Sequence, residues 1–457
     1  MIYTQLFDRY APGKVVRAGI IGTGHYATAI VTQSFSIPRL EVPVVADLDP
    51  ATAAKAFERA GVPAEDIVIC ESRAAALQAL EQGKRVVLRD ALLMMDLPID
   101  AVVHATASAA ADAVHASEAI RHGKHVIMVG KECCVTIGPM LKRLADQAGV
   151  VYTNVDGDQP GLLMGLVGWA RELGLEVLCG IKFRDTNLTY DGGALWKGSK
   201  PFPLPQDQLG HFAPIRPGQA REMVEGRQGA LGQFGEIGHF DYEELTIAAN
   251  ATGLAPDADR LHRPALRTTE IPEVLSPVEE GGILGRRGVI EMVTNLRHAD
   301  EADGGGGVAV VVTAATEYSR YILATKGCIS NSRGTTALIY RPYHLCGVET
   351  PMSILCAGLL GLPTGTIDYQ PRFDVIAEVV RGKKAGESLE YEDVRTYIRP
   401  AGAVDDGAPL SLHLALWTKL AVDVAPGTII TRAHVAPAAD SVLWKLRREQ
   451  DRLLLHK

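Results

Sequence analysis

The chain has 457 residues, 47% of them hydrophobic and 22% charged, which excludes a disordered or fibrous polymer and calls for two to three packed domains. A net charge of −8 without any long run of Lys or Arg excludes the electrostatic footprint of a nucleic-acid binder. Asp8 and Arg9 stand where a secretory signal needs its apolar stretch, and no run of ~18 apolar residues follows, so neither export nor a membrane partner is expected and the cytoplasm is the expected location.

Taken in chain order, residues 15–22 (VVRAGIIG) read as a strand, Ala27 to Phe35 as a helix, and EVPVVAD, ending at Asp47, as a second strand. Helical spacing at 51–60, the run RVVL near 85, DAVVHAT at 100–106, a helix closing near Gly123 and a strand at 124–129 continue the alternation. Such alternation implies an α/β fold with a doubly wound parallel sheet. A helix over LLMGLVGWARELG and the strand EVLCGIKF follow. Residues 191–235, rich in Gly, Pro and Gln, read as an irregular excursion or lid over a site. FDYEELTIAANATG reads as a helix closed by Gly253, ADEADGGGG (299–307) as a flexible hairpin or loop, and VAVVVTAAT as a strand. Beyond Pro371 the segments become short and alternating. There KKAGESLEYEDV and VAPGTIITRAHV share one cadence, which suggests a β-clip of two similar hairpins. The expected domains are therefore a Rossmann dinucleotide-binding domain at 1–155, a central α+β catalytic and oligomerisation domain at 156–370, and a small β-clip at 371–457.

The seven cysteines include no C-x-x-C, so neither disulfides nor structural zinc is implied, and no metal-ligand set is assigned. The adjacent Cys133 and Cys134 are expected to pack as small hydrophobes.

Chemistry gathers at the strand ends. Gly22-Thr23-Gly24-His25-Tyr26-Ala27 is a G-x-G-x-x-A fingerprint between a strand and a helix, the context that makes it a dinucleotide-binding turn. Asp47, 23 residues beyond Gly24, is placed to bond the adenosine ribose and repel a 2′-phosphate, favouring NAD, with NADP left open if Asp47 only caps the next helix together with Asp49. Thr106, which ends DAVVHAT, joins the cofactor set. Lys131, just past KHVIMVG at the carboxyl edge of the sheet, is a candidate both to contact the cofactor ribose or a substrate oxygen and to act as acid/base. Asp156 and Asp158 in NVDGDQPG are candidates to orient a substrate group, with helix capping the preferred role for Asp156. Lys182, Arg184 and Asp185 end a strand where cations suit a substrate carboxylate or phosphate, and Arg341, Tyr343 and His344 form an anion clamp with a titratable ring. Glu243, Glu244 and Asn250 share a helix, with Glu244 expected to point inward.

The phrases GIIGTGHYA, HGKHVIMVGKE, CVTIGPMLKRLADQAGVVY, GDQPG, IAANATGLAPD, EEGGIL and YRPYHL together resemble the homoserine-dehydrogenase-like NAD(P)-dependent oxidoreductases with a C-terminal SAF domain, across nearly the whole chain. The resemblance implies a catalytic role for Lys131, which falls on that group's catalytic lysine, and an SAF-like β-clip in the tail that shapes or caps the site, with carbohydrate binding or oligomer contacts equally compatible with its sequence. Reductoisomerase-like members of the group, which use NADPH to make 2-C-methylerythritol 4-phosphate, lack counterparts of Lys131 and Asp47. Their presumed substrate site does match GDQPG, Lys182 and YRPYHL, implying a small anionic substrate. The leading expectation is thus hydride transfer between NAD(H) and a small carboxylated or phosphorylated hydroxy or keto compound by a homo-oligomer, with Lys131, Lys182, Asp158 and Glu244 in catalysis. Two alternatives remain: a reductoisomerase with metal ligands among Asp158 and Glu244, and a non-catalytic NAD-binding sensor or scaffold.

Overall fold

The structure is a computed structural model that describes residues 2–232 and 239–455. It comprises two compact units. One contains the chain up to Gly161, Leu345–Arg395 and the part from Pro400 onward, and the other contains Leu162–His344 with Thr396–Arg399. This division differs from the three consecutive segments 1–155, 156–370 and 371–457, because the chain returns to its first unit at Leu345.

In the first unit, β1 (Val16–Ile21), β2 (Leu40–Ala46), β3 (Ile67–Cys70), β4 (Arg85–Leu88), β5 (Ala101–His104), β6 (His125–Met128) and β7 (Tyr152–Asn154) form a seven-stranded sheet in the order β3-β4-β2-β1-β5-β6-β7. All neighbours are parallel. Strands covered on both faces must be apolar throughout, and β5 is buried at every residue. The helices are α1 (Ile2–Tyr10), α2 (His25–Ser34), α3 (Pro50–Arg59), α4 (Arg73–Glu81), α5 (Ala109–Arg121) and α6 (Lys131–Ala148). The connections run outward from β1 on one side and resume at β5 on the other, so the carboxyl ends of β1 and β5 flank a topological switch, where Rossmann-like sheets bind ligands.

The second unit is built on β8 (Glu176–Asp191), reached through α7 (Gln159–Glu172). The segment expected to be a lid is largely regular: Gly192 and Gly193, at φ +56° and +76°, turn β8 into the hairpin of β9 (Ala194–Lys197) and β10 (Lys200–Pro203), and α8 (Ala220–Leu231) follows. Residues 233–235 of that expected lid lie outside the described residues. After α9 (His239–Thr252), two short strands, β11 (Ala255–Pro256) and β12 (Ala265–Leu266), precede α10 (Ile271–Val274). Both pair with β13 (Val289–Arg297), itself parallel to β8. On the other side β8 pairs antiparallel with β14 (Val308–Thr313), and α11 (Glu317–Thr325), β15 (Ile329–Ser330) and β16 (Ala337–Arg341) complete a nine-stranded sheet. Its core includes Leu178, Ile181, Phe183, Val293 and Val311.

The glycine run expected to be a flexible loop is instead tightly packed. A Cβ on Gly304 would sit 2.4 Å from Phe183, one on Gly305 1.9 Å from the Pro342 carbonyl, and one on Gly307 1.8 Å from the Arg341 carbonyl. Four glycines bring this backbone against the neighbouring strand end and turn, a close approach that no side chain would permit.

Back in the first unit, α12 (Thr350–Leu355) and the turn after it bury Ile354, Leu355 and Leu359 in one cluster with Val16, Ile30 and Phe57. The tail contributes a two-stranded sheet of β17 (Phe373–Val379) and β18 (Val394–Pro400), then α13 (Leu412–Ala415), α14 (Val442–Gln450) and several isolated bridges. The two similar phrases are not separate hairpins: they pair with each other, Lys383 exchanging backbone hydrogen bonds with Val424 at 3.0 and 2.9 Å. Each then closes with the same reciprocally capped single turn, Tyr391–Asp393 after Glu390 and Arg432–His434 after Thr431.

Helix α6 contains Pro139, which cannot donate and which pushes against the preceding turn. The helix survives because Gln450 of α14 completes it from outside. The Met140 N–H donates to Gln450 Oε1 at 3.1 Å, and Gln450 Nε2 donates to the Thr136 carbonyl at 3.2 Å, bridging a donor and acceptor that a regular helix would pair directly. Gln450→Leu is expected to destabilise the protein by about 2–6 kcal/mol, since two buried backbone groups lose their partner at roughly 1–3 kcal/mol each. Chemical denaturation checks this, and an unchanged midpoint contradicts it.

Candidate active site

A pocket of about 870 Å³ opens at the switch point of the first unit, lined by Gly22, Thr23, Gly24, Asp47, Thr106 and His115 among others. Gly22 has φ +83°, and a Cβ there would lie 2.6 Å from the Ala105 carbonyl, so the turn admits only glycine. Gly24 caps α2 with no side-chain hydrogen bond, and a Cβ on it would meet nothing within 4 Å. The space beside this helix start is therefore open, as a phosphate site at a helix N-terminus requires. Ala27 is fully buried, as close helix packing requires.

Asp47 is not a cap of α3, because Asp49 takes that position and accepts from the Ala51 N–H at 3.1 Å. Asp47 Oδ2 instead accepts from the Thr23 N–H at 2.8 Å and the Thr23 hydroxyl at 2.7 Å, which pins the glycine turn. Thr106 donates to Asp112 at 2.8 Å from the end of β5. His25 is exposed and Tyr26 half-buried, and neither lines the pocket. The side chains at these x positions of the fingerprint point elsewhere because the turn presents its backbone. Arg89, Glu71 and Asp90 do line it and were missed; Arg89 and Asp90 follow RVVL at the same sheet edge, which is the signal that marks them.

A second group forms within the same unit. Lys131 is the first residue of α6, and its Nζ lies 3.2 Å from Asp158 Oδ2. Asp158, buried after β7, also accepts from the Gln159 N–H at 3.0 Å at the start of α7. The Asp156 N–H donates to Ser353 Oγ at 2.8 Å. Tyr26 shares a hydrogen bond with Thr350 at 2.9 Å. Burial first, and then the Asp158 carboxylate, hold its phenol far above the usual tyrosine range, so it keeps its proton. Cys133 and Cys134 are fully buried in the first turn of α6, and burial pushes the Cys134 thiol up to about 12, in keeping with packing.

In the second unit, Lys182 of β8 donates to Asp241 at 2.5 Å and is paired with Glu244, both on α9. All three are buried, with Arg184 Nε 3.7 Å from Asp241. Burial disfavours the Lys182 ammonium, but Glu244 and Asp241 outweigh it and raise the lysine above its ordinary value. Burial raises Asp241 despite Lys182. The expectation that Lys182 holds a substrate anion meets an obstacle here, since two carboxylates already face its charge. Glu244 is not singled out by an inward face either, because residues 241–250 are buried all round the helix, Glu243 and Asn250 included.

The turn YRPYH sits on the glycine run. Arg341 lies over the Tyr343 ring at 4.7 Å, and Tyr343 itself is exposed. Asp185 and His344 meet over Gly306, where a Cβ would sit 2.5 Å from Asp185 Oδ1 and 2.8 Å from His344 Cε1. Thus Lys131 joins Asp158 in one unit, while Lys182 joins Glu244, and Arg341 joins Tyr343, in the other.

Residues 239–350 match the family model described as oxidoreductase DRL, catalytic domain, a stretch that includes Asp241, Glu244 and the YRPYH turn. No curated protein matches the chain. Among solved structures, a levoglucosan dehydrogenase in complex with NADH and L-sorbose is 18% identical over 38% of this chain and 44% of its own, with a TM-score of 0.28. A scyllo-inositol dehydrogenase from Lactobacillus casei is 16% identical over 37% and 46%, with a TM-score of 0.27. An NAD binding oxidoreductase from Klebsiella pneumoniae is 18% identical over 39% and 46%, with a TM-score of 0.28. The chain therefore spans less than half the length of these structures, and similarity of this size assigns neither substrate nor mechanism.

Proposed function

We propose that this protein is an NAD-dependent oxidoreductase acting on a small, polar, anionic hydroxy or keto compound. The observation that carries the reading is the pocket at the β1/β5 switch, where the Gly22 turn and the open, uncapped start of α2 stand beside Asp47. These residues fit a dinucleotide: amides and helix dipole for the pyrophosphate, a carboxylate for the ribose, and a volume within the range of ligand sites. The DRL catalytic-domain match over 239–350 supports the oxidoreductase class.

The dinucleotide supplies or accepts the hydride. The chain's own groups handle the accompanying proton and the charge. In this reading Lys131, held by Asp158, donates to or withdraws a proton from the substrate oxygen, and Tyr26 stays a protonated donor beside that carboxylate. Within the second unit, Arg341 and His344 of the YRPYH turn have the chemistry that suits a carboxylate or phosphate. Lys182 serves to fix Asp241 and Glu244, its own charge being already balanced. The reductoisomerase alternative is less well supported, because the two carboxylates it would use as metal ligands, Asp158 and Glu244, each face a lysine.

Fluorescence titration with NADH and NADPH tests the cofactor assignment. The wild type is expected to prefer NADH by at least about tenfold, the equivalent of roughly 1.4 kcal/mol, because Asp47 repels a 2′-phosphate. Asp47→Ala is expected to lose the preference and weaken both. Equal affinity of the wild type for the two contradicts the assignment.

A further inference from the structure

We propose that His104, Asp112 and His115 form a binding site for a divalent transition metal of the zinc class at the inner wall of the dinucleotide pocket. One ligand atom from each lies within 4.8 Å of the others. The three come together because β5 ends at His104 and the following helix α5 presents Asp112 and His115 one turn apart on the same face.

Their hydrogen bonding points to a missing partner. His104 and Asp112 have no exposed surface, yet both ring nitrogens of His104, Oδ2 of Asp112 and Nδ1 of His115 have no hydrogen-bond partner. Buried polar atoms are normally satisfied, and four orphans within one cluster are a costly arrangement for protein atoms alone. A single cation would satisfy one nitrogen from each histidine and the carboxylate together. The rest of the environment suits this. Asp112 Oδ1 accepts from Thr106 at 2.8 Å, which orients the carboxylate from behind. Gly130 leaves room for Oδ2, since a Cβ there would lie 2.5 Å from it.

Two imidazoles and one carboxylate form a donor set that favours zinc-like cations over calcium or magnesium. Small side-chain rotations bring such donors to the ~2.0–2.2 Å of zinc ligation. His115 lines the pocket, so a fourth position opens toward it for water or a ligand atom. A loaded site would staple β5 to α5 beside the dinucleotide groove.

The test uses the full-length protein, stripped with a chelator, desalted and incubated with zinc chloride, with bound metal read by mass spectrometry. In parallel, cobalt(II) is added and its visible absorption recorded. The expected result is one equivalent of zinc and a cobalt spectrum of low-coordinate N/O ligation in the wild type. His115→Ala and Asp112→Asn are each expected to bind at least about a hundredfold more weakly, since even outer-shell changes cost 10–100-fold. His122→Ala, altering another histidine next to α5, is expected to bind like the wild type. Failure of the wild type to retain zinc or develop the cobalt spectrum overturns the site, as does full retention in both ligand variants. The wild-type readouts stand even if a variant fails to fold, and neither depends on turnover.

Discussion

Replacing Lys131 with Met is expected to lower turnover by about 10²–10⁴-fold, the range lost with a positioned acid or base. Lys131 opens α6 and sits 3.2 Å from Asp158, so its ammonium is aimed by a buried carboxylate at the carboxyl edge of the sheet. Met keeps the length and apolar stem while deleting the proton. Lys131 is not among the residues lining the dinucleotide pocket, so NADH affinity should change little while kcat falls. Steady-state kinetics beside an NADH titration separate the two effects. A variant with wild-type kcat would remove Lys131 from the chemistry, and one that loses only NADH affinity would reassign it to cofactor binding.

A large stability effect is expected at Arg447. Its guanidinium is fully buried and grips Asp374 through two bonds of 2.8 and 2.7 Å, Asp451 at 2.7 Å and the Gly402 carbonyl at 3.0 Å. Asp451 in turn accepts from the Val404 N–H at 2.9 Å. This one side chain therefore ties α14 to β17 and to the loop beyond β18. Arg447→Met leaves two carboxylates buried without their counter-charge, and removal of one partner from such a network costs about 3–5 kcal/mol. Guanidinium denaturation should show that loss, whereas a change below about 1 kcal/mol, the scale of an exposed ion pair, would contradict the account.

The elements that were legible in the sequence are those whose environment is local. β1, β2, β5 and β6 read as apolar runs because both their faces are covered, and the Gly22–Ala27 fingerprint carries its own turn and helix start. Where the stabilising partner lies far along the chain, the sequence was opaque. Pro139 speaks against a helix over 131–148, and only Gln450, 311 positions from it, allows one. The glycine run at 304–307 looks mobile until Phe183, Pro342 and Arg341 are found packed on it. Residues 350–360 read as part of the central domain, yet their apolar side chains complete the first unit's core.

The candidate site shows the same contrast. Gly22, Gly24, Asp47 and Thr106 were identified from spacing and line one pocket. The neighbours of Lys182 were half visible, Glu244 having been named and Asp241 not, because the contact between β8 and α9 crosses some 60 residues of chain. His104, Asp112 and His115 carry a regular D-x-x-H spacing after a strand, but their shared burial emerges only from the fold.

The central claim, a dinucleotide held at the start of α2, is tested most directly by Gly24→Val. The position has φ −65° and a Cβ there meets nothing within 4 Å, so the substitution should leave the melting temperature unchanged. It would, however, fill the space through which a pyrophosphate reaches the helix amides. Calorimetric titration with NADH is predicted to show one site in the wild type and none detectable in Gly24→Val at equal thermal stability. Wild-type NADH affinity in that variant would contradict the account.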